Sequence, residues 1–444
     1  MRLWFAIDEP VGRRAYLLTG VGLMILKYAL DAGAVWLATR QVWTPLDYFV
    51  PSMVLREPKL KVFPWWLAVA MVVWSLPFLW IGVSMTLRRA LDAGRSPWLA
   101  LAFFVPIVNY VVMALLAVSP SAGRRPARMP ADACPASLAT VARALLAAVV
   151  PGVALVAIAT LVLRSYVAAV FLGVPFVMGV VCAFVLNREE PRELSDTLRT
   201  AALSVTAGSI ALLLFGMEGL ICVVMALAPA IPLALAGALV GRFIALRAPD
   251  TALHAVVVVL ALPGLAALES VAPAAPVREV VSIVEVNAPP ETVWRHVVTF
   301  GEIPEPPAWF FRAGIAYPVR AVIDGEGVGA LRRCEFSTGA FAEPITVWDA
   351  PRRLSFDVTA QPDAMRELSP YRSVRPPHLD GAFRARRGEF RLVALPDGRT
   401  RLEGSTWYTL ELAPGGYWRL WADLLVHAIH DRVLVHVKRL AEAG

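Results

Sequence analysis

Charged residues and cysteines are scarce in this chain of 444 residues. Only 17% of the residues are charged and 4 are cysteine, whereas 58% are hydrophobic. Soluble globular chains carry roughly 25% charged and 45–50% apolar residues, so an ordinary soluble protein is excluded. No two of Cys134, Cys182, Cys222 and Cys334 have a CxxC spacing. This pattern argues against a disulfide framework and against a thiolate zinc site.

The few charges are distributed unevenly along the chain. Residues 1–272 hold 21 Lys and Arg against 14 Asp and Glu, and residues 273–444 hold 21 of each kind. The net charge of +7 therefore belongs to the first part, and the second part is neutral. Basic residues beside apolar runs are expected of a membrane protein, so this charge does not indicate nucleic-acid binding.

Long apolar runs predict membrane-spanning helices, because about 20 residues cross the hydrocarbon of a bilayer. Such runs lie near 15–38, 64–86, 97–119, 139–163, 166–186, 200–216, 219–244 and 253–270. They predict about eight spans, or seven if the short last run is not one. By charge bias, eight spans place the C-terminal domain outside the cytoplasm and seven place it inside. We expect a multi-pass protein in the bilayer of the cell inner membrane. The side of the C-terminal domain stays open, with the cytoplasm preferred.

Three of the charged side chains in or beside these runs are weighed for a function. Lys27 and Asp31 are four residues apart and share a helix face. We interpret them first as an intrahelical ion pair shielded within the helix bundle, and second as part of a path for protons or ions. Glu218 lies between two runs, where it either caps a helix or faces a polar cavity.

The segment RRALDAGRSPW, residues 88–98, carries the most specific pattern of the membrane part. It resembles the fingerprint Arg-Arg-Leu-His-Asp-x-Gly-x-Ser of a small bacterial inner-membrane family of unknown function. The histidine of that fingerprint has no counterpart, since Ala90 and Leu91 precede Asp92. The resemblance covers about the first 120 residues and implies a membrane module without chemistry. The predicted domains are a module of about three spans (1–119), a linker (120–138), a module of about five spans (139–270), a linker (271–278) and a soluble domain (279–444).

Period-two alternation dominates the C-terminal part and predicts strands. One strand covers VVSIVEV, and a short helix follows Pro289 and Pro290. Six more strands are predicted near 319–324, 328–337, 341–349, 353–360, 383–395 and 400–412. A long helix at 417–441 ends the chain, with an apolar stripe of Trp418, Trp421, Leu424, Leu425, Ala428, Val435 and Leu440.

The segments VNAPPETVW, GEGVGALRRCEFSTG, EPITVWDAPRRLSFDV and GRTRLEGSTWYTL then identify a family pattern. Together with the closing helix they resemble the START-like (Bet v 1-like, SRPBCC) superfamily, which includes polyketide-cyclase-like proteins. The resemblance implies an α+β helix-grip domain, in which a curved antiparallel sheet packs on the long C-terminal helix. It also implies a hydrophobic cavity between sheet and helix.

Eight residues are candidates for lining that cavity. Arg332 and Cys334 share a strand face, and Glu343 on the next strand is the natural partner of a buried arginine. A structural pair and the recognition of a ligand's polar head both remain open for Arg332. His427, His430 and Asp431 form a polar group on the last helix, for which helix–sheet hydrogen bonding, cavity lining and a metal site are weighed. Tyr408 and Trp421 complete the set.

No Ser-His-Asp or Cys-His spacing identifies catalytic residues, and we expect neither a metal nor another cofactor. The insert at 365–381 is either a lid over the cavity or a plain surface loop. Trp309, Phe310 and Phe311 form a second gate or a satellite core. The leading hypothesis is a membrane-anchored module that binds a lipid or another hydrophobic small molecule. The alternatives are a cyclase- or dehydratase-type enzyme with His427 or His430 as base, and a non-catalytic structural or signalling protein.

Overall fold

The computed structural model describes residues 10–48, 64–104, 108–122, 137–162, 166–248, 275–369 and 376–443, with residues 4 and 371 as isolated positions. The predicted span at 253–270 lies outside these residues. The chain divides into two compact units. The first unit is Met1–Gly152, Gly173–Ala207 and Ala230–Pro273, and the second is Val153–Leu172, Gly208–Pro229 and Ala274–Gly444.

The N-terminal part of the chain is helical. Its α-helices are α1 (Arg13–Thr39), α2 (Trp65–Asp92), α3 (Val108–Val118), α4 (Leu138–Ala157), α5 (Val174–Asn187), α6 (Leu194–Leu214) and α7 (Leu220–Arg247). Within the described residues, five helices are long and apolar enough to cross a membrane, namely Arg13–Thr39, Leu138–Leu161, Ala169–Asn187, Leu194–Leu214 and Leu220–Arg247. The prediction of about eight spans is therefore not confirmed. The predicted third span is divided between a 3-10 helix, Pro97–Phe104, and α3, which has only 11 residues.

Small residues let α5 and α7 approach closely in the first unit. A Cβ atom added to Gly179 would lie 2.0 Å from the carbonyl oxygen of Ala234, and one added to Gly241 would lie 2.0 Å from that of Val180. Backbone-to-backbone packing at small residues is a common way for helices to associate in membranes.

The charged pair of α1 forms as predicted. Lys27 contacts Asp31, whose other carboxylate oxygen accepts a hydrogen bond from the Trp74 indole at 2.8 Å. Asp31 is fully buried. Its charge is stabilised by Lys27 on the same helix and by Trp74 on α2.

The fingerprint segment at residues 88–98 fixes the end of one helix against the end of another. Arg89, which is fully buried, donates to the carbonyl oxygens of Leu116 and Ser119, where α3 ends. It also pairs with Asp92, which accepts a hydrogen bond from Ser121 at 2.6 Å. The terminal carbonyls of a helix have no partners within it, so Arg89 satisfies groups that would otherwise be unpaired. The pattern that carries the resemblance therefore has a structural role here.

The second unit contains a seven-stranded antiparallel sheet. The strands are β1 (Arg278–Val286), β2 (Pro318–Asp324), β3 (Leu331–Phe336), β4 (Gly339–Asp349), β5 (Arg353–Asp357), β6 (Phe383–Ala394) and β7 (Thr400–Leu410), in the order β1-β7-β6-β5-β4-β3-β2. Helices α8 (Pro290–Val298) and α9 (Trp309–Arg312) lie between β1 and β2, and α10 (Gly415–Ala443) ends the chain. This order confirms the predicted one: a strand, a helix, six strands and a long terminal helix.

The inner face of the sheet packs on α10. A Cβ atom at Gly404 would lie 3.4 Å from the Leu434 side chain, so β7 and the helix are in close contact. One hydrophobic cluster includes Val286, Cys334, Ile345, Leu354, Phe356, Leu392 and Leu402 from the strands and Val433, Leu434, Val437 and Ala441 from α10. The helix-grip arrangement is confirmed.

The predicted apolar stripe of the terminal helix is wrong in part: Leu440 packs against the core, but two of its members are exposed. Leu424 is 59% exposed and Val435 is 43% exposed. The buried positions of α10 are Val426, His430, Val433, Leu434, His436, Val437 and Ala441. The helix carries apolar residues on more than one side, and its buried side includes two histidines, which a hydrophobic pattern counts as polar.

Candidate functional site

The first group of candidate residues lies on the inner face of β3 and β4. Arg332 and Glu343 are opposite each other in the strand register, and both are buried. Arg332 Nη1 donates to Glu343 Oε2, which confirms the pairing expected from the sequence. Burial raises the pKa of the Glu343 carboxyl, and the adjacent guanidinium opposes that rise.

Aromatic rings surround the guanidinium of Arg332. Its central carbon lies 5.9 Å from the ring centroid of Phe300, 5.2 Å from that of Phe356 and 5.6 Å from that of Phe390. These distances suit cation–π attraction, which is stronger in a desolvated place. The Nε atom of Arg332 is buried, and no described residue accepts a hydrogen bond from it. An unpartnered buried donor costs free energy, so this atom is available to an added acceptor.

Cys334 lies beside this pair and is also buried. Burial and then the charge of Glu343 raise the pKa of its thiol to about 12. A thiol with such a pKa is protonated at neutral pH and is a poor nucleophile.

The second group links α10 to the sheet by hydrogen bonds. Ser282 Oγ lies 2.7 Å from His427 Nδ1 and 3.1 Å from His430 Nδ1, and His430 Nε2 lies 2.7 Å from Thr406 Oγ1. Both ring nitrogens of His430 are thus engaged. Burial, with a smaller effect of His427, lowers the pKa of His430 to about 4. His430 is therefore a neutral structural group, which does not suit a general base.

The other candidates of the terminal helix lie apart from the Arg332 group. His427 and Asp431 are exposed, and Trp421 is half-buried. Tyr408 is fully buried, and its hydroxyl donates to Asp423. The candidates thus separate into the Arg332–Glu343 pair with Cys334, the hydrogen-bonded His427 and His430, the buried Tyr408 with its partner Asp423, and two further side chains, the exposed Asp431 and the half-buried Trp421.

The insert at 365–381 contacts the turn between α6 and α7, all within the second unit. The Leu220 N–H donates to the Leu368 carbonyl oxygen at 2.8 Å, and the Ile221 N–H donates to Glu367 Oε2 at 3.2 Å. The Tyr371 hydroxyl donates to the Leu214 carbonyl oxygen. Of the predicted second gate, Phe311 is buried and Trp309 is 74% exposed.

This contact creates a group that sequence reasoning missed. Glu218, Cys222 and His378 place one carboxylate oxygen, one sulfur and one imidazole nitrogen all within 4.8 Å of one another. Cys222 Sγ lies 3.1 Å from His378 Nε2, and Glu218 Oε2 lies 3.6 Å from His378 Nδ1. Such donor atoms are those that zinc binds. We call these three residues the junction cluster.

The environment of the junction cluster is largely buried. Burial, and then the charge of Glu367, raise the pKa of Glu218 to about 8, and burial lowers the pKa of His378 to about 4. The Tyr166 hydroxyl donates to Glu218 Oε1 at 3.3 Å, and the Tyr166 and His378 rings lie 5.1 Å apart. A sequence signal existed only in part: Glu218 and Cys222 are four residues apart, but His378 is 156 residues beyond Cys222.

A comparison with known protein families matches the N-terminal segment of the chain. Residues 5–126 match the model of a family described as a protein of unknown function, DUF805. No curated protein sequence matches the chain.

Solved structures resemble part of the chain. A point mutant of norcoclaurine synthase from Thalictrum flavum, in complex with a transition-state analogue, is 12% identical, covers 38% of this chain and 96% of its own, and has a TM-score of 0.25. The Aha1 dimer of Colwellia psychrerythraea is 12% identical, covers 38% and 98%, and has a TM-score of 0.24. A protein of Mesorhizobium loti is 16% identical, covers 38% and 98%, and has a TM-score of 0.25. Likenesses of this size carry no argument about function. The chain is a membrane protein with apolar helices and a C-terminal helix-grip domain, and its N-terminal segment matches a family of unknown function.

Proposed function

We propose that the C-terminal domain binds an apolar small molecule or lipid between the inner face of its sheet and α10. The observation that carries this proposal is Arg332. Its guanidinium is buried among three phenylalanine rings, and its Nε–H has no acceptor among the described residues. Pockets for small molecules are mostly apolar, with a small number of placed polar groups that fix the orientation of the ligand.

The charge of the inner pair restricts the polar group of the ligand. Arg332 already pairs with Glu343, so the pair is neutral as a whole. A ligand anion would gain from Arg332 but would be repelled by Glu343 nearby. A neutral acceptor, such as a hydroxyl or carbonyl oxygen, would satisfy Nε–H without this repulsion. The ligand class is therefore an apolar molecule with a neutral hydrogen-bond acceptor at one end.

The same geometry does not favour the enzyme alternative. A cyclase or dehydratase would need a base near its substrate. Both nitrogens of His430 are hydrogen-bonded to hydroxyls, and His427 is exposed. A binding module needs neither histidine as a base.

The test uses the full-length chain in detergent, and its readout is binding of a fluorescent fatty alcohol and of the matching fatty acid. The variant Arg332→Met/Glu343→Met removes both charges, because deleting one would leave the other buried and unpaired. Its control is Arg320→Met/Glu335→Met, a pair that joins β2 to β3 with N–O distances of 2.7 and 2.9 Å and is largely exposed.

We expect the wild type and the control to bind the alcohol at least as tightly as the acid. The inner-pair variant should bind the alcohol about tenfold more weakly, since one good hydrogen bond to a charged donor contributes about 1.5 kcal/mol or more. If the wild type binds neither probe, and native mass spectrometry finds no co-purified lipid, the proposal is wrong.

A further inference from the structure

We propose that Glu218, Cys222 and His378 bind a zinc ion where the insert meets the turn between α6 and α7. This site is independent of the proposed ligand beside Arg332, which lies on the inner face of β3. The zinc would tie the insert to the beginning of α7. Its role would be structural.

The donor set identifies the metal. Zinc takes cysteine sulfur, histidine nitrogen and carboxylate oxygen together, whereas magnesium and calcium prefer oxygen donors alone. Three protein ligands leave a fourth position for water. The Cys222 thiol gives up its proton to solvent when its sulfur coordinates the ion, as thiolate ligation requires.

The distances are close to those of an assembled site. In a tetrahedral site with bonds of about 2.0–2.3 Å, neighbouring ligand atoms lie roughly 3.3–3.8 Å apart. Glu218 Oε2 lies 3.6 Å from His378 Nδ1, Cys222 Sγ lies 3.1 Å from His378 Nε2, and one ligand atom of each residue lies within 4.8 Å of the other two. Side-chain movements of about 1 Å would therefore bring the three atoms around one ion.

Unpartnered polar atoms point to a missing group at this place. His378 Nδ1 and Glu367 Oε1 are buried and have no hydrogen-bond partner among the described residues. The side chain of His378 is only 9% exposed. Buried polar atoms in folded proteins almost always have partners, so two such atoms beside one cluster require an explanation.

The charges near the cluster also call for a cation. Glu218 lies beside His378, Glu367 accepts a hydrogen bond from the Ile221 N–H three residues further on, and neither carboxyl group pairs with a lysine or arginine among the described residues. Two neighbouring carboxylates without a cation repel each other. A divalent ion would supply that charge, with Glu218 as its direct ligand and Glu367 beside it.

Hydrogen bonds to the ligands are already in place. The Tyr166 hydroxyl donates to Glu218 Oε1, which leaves Oε2 for the ion. The Ile221 N–H donates to Glu367 Oε2 and holds this second carboxylate near Cys222. Partners of this kind orient metal ligands and typically change metal affinity 10–100-fold when removed.

The test measures zinc and cobalt binding by the full-length chain in detergent. After loading with Zn²⁺ and desalting, we expect one zinc per chain by elemental analysis. With Co²⁺ we expect a sulfur-to-cobalt charge-transfer band, which a thiolate ligand produces. Cys222→Ser should abolish the band, and His378→Asn should weaken zinc binding by at least tenfold. The matched controls are Cys182→Ser, a buried cysteine of α5, and His296→Asn, a histidine of α8; both should bind zinc and cobalt as the wild type does.

A second variant protects the test against misfolding. Tyr166→Phe keeps all three ligands and removes the hydroxyl that donates to Glu218, so we expect about tenfold weaker zinc binding. Zinc should also slow tryptic cleavage after Arg366 in the wild type but not in Cys222→Ser. A folded wild type that holds no more zinc than Cys222→Ser would overturn the proposal. So would a cobalt band that persists in that variant.

Discussion

Replacing Arg332 and Glu343 singly and together tests whether the stabilising contribution of each side chain depends on the other. Each is buried, with 1% and 6% exposure, and each has the other as its ionic partner. Removing one member of a buried pair leaves an uncompensated charge and typically costs 3–5 kcal/mol. We therefore expect Arg332→Met and Glu343→Met each to lower the free energy of unfolding by about 3–5 kcal/mol.

The double variant should be far less damaging than the sum of the two single variants. Replacing both charges by apolar side chains of similar volume is often neutral in buried pairs. Met also fits irregular space beside aromatic rings, and Phe356 and Phe390 flank this position. We expect the double variant to lie within about 2 kcal/mol of the wild type.

Pulse proteolysis of the full-length chain in urea measures this cycle, because it reports the unfolded fraction of a domain that a protease can reach. The exposed pair Arg320 and Glu335 provides the control, since solvent screens it and its removal should leave the urea midpoint unchanged. Additive losses at Arg332 and Glu343 would refute the reasoning. They would show that each side chain has other partners that matter more than its ion-pair partner.

Three further predictions concern the helices and one histidine. Leu434→Ala should cost about 2–5 kcal/mol and Leu424→Ala about 0.5 kcal/mol or less by the same proteolysis assay, because the first side chain is buried and the second is 59% exposed. The pKa of His430 is about 4 in the folded chain, against about 6.5 for an unperturbed histidine, so the unfolded chain binds the proton first as pH falls. Stability should drop between pH 6.5 and 4 by up to about 3 kcal/mol, and His430→Gln should remove that part of the pH dependence; an unchanged slope would contradict this. Gly241→Leu should lower the melting temperature strongly and Gly22→Leu only slightly, since an added Cβ meets a backbone oxygen at 2.0 Å in the first case and nothing within 4 Å in the second.

The sequence predicted the strands of the C-terminal domain well because each pattern was local. Strand β7 shows this best: residues 400–412 alternate cleanly, and the strand is Thr400–Leu410. The inner face of a sheet follows from period two once one residue is placed. The pair Arg332–Glu343 was predictable for the same reason, since neighbouring strands of a hairpin bring the two positions into register.

Which side of the terminal helix is buried against the sheet could not be predicted from its hydrophobic pattern. Leu424 and Val435 are apolar and exposed, whereas His430 and His436 are polar and buried. His430 can be buried because Ser282 of β1 and Thr406 of β7 provide its hydrogen bonds. A buried polar residue of this kind is defined by partners that are remote in the sequence.

The junction cluster could not be predicted from the sequence for the same reason, because its residues are even further apart along the chain. In the sequence Glu218 is a charge between two apolar runs, which predicts either a helix cap or a residue facing a polar cavity. The structure gives it a tyrosine and a histidine as neighbours. Neither Tyr166 nor His378 belongs to a sequence motif that contains Glu218, so only the folded chain brings them together.

The two proposed sites can be separated because their chemistry differs. The pair at Arg332 is neutral and apolar in its surroundings, so it suits an uncharged ligand end. The junction cluster combines a carboxylate, a sulfur and an imidazole nitrogen, with the carboxylate of Glu367 beside it, so it suits a cation. A chelator should therefore release zinc without displacing the fatty alcohol, and the inner-pair variant should lose the alcohol without losing zinc. If the chelator also abolished alcohol binding, the insert would be part of the ligand site, and the idea of two independent sites would be wrong.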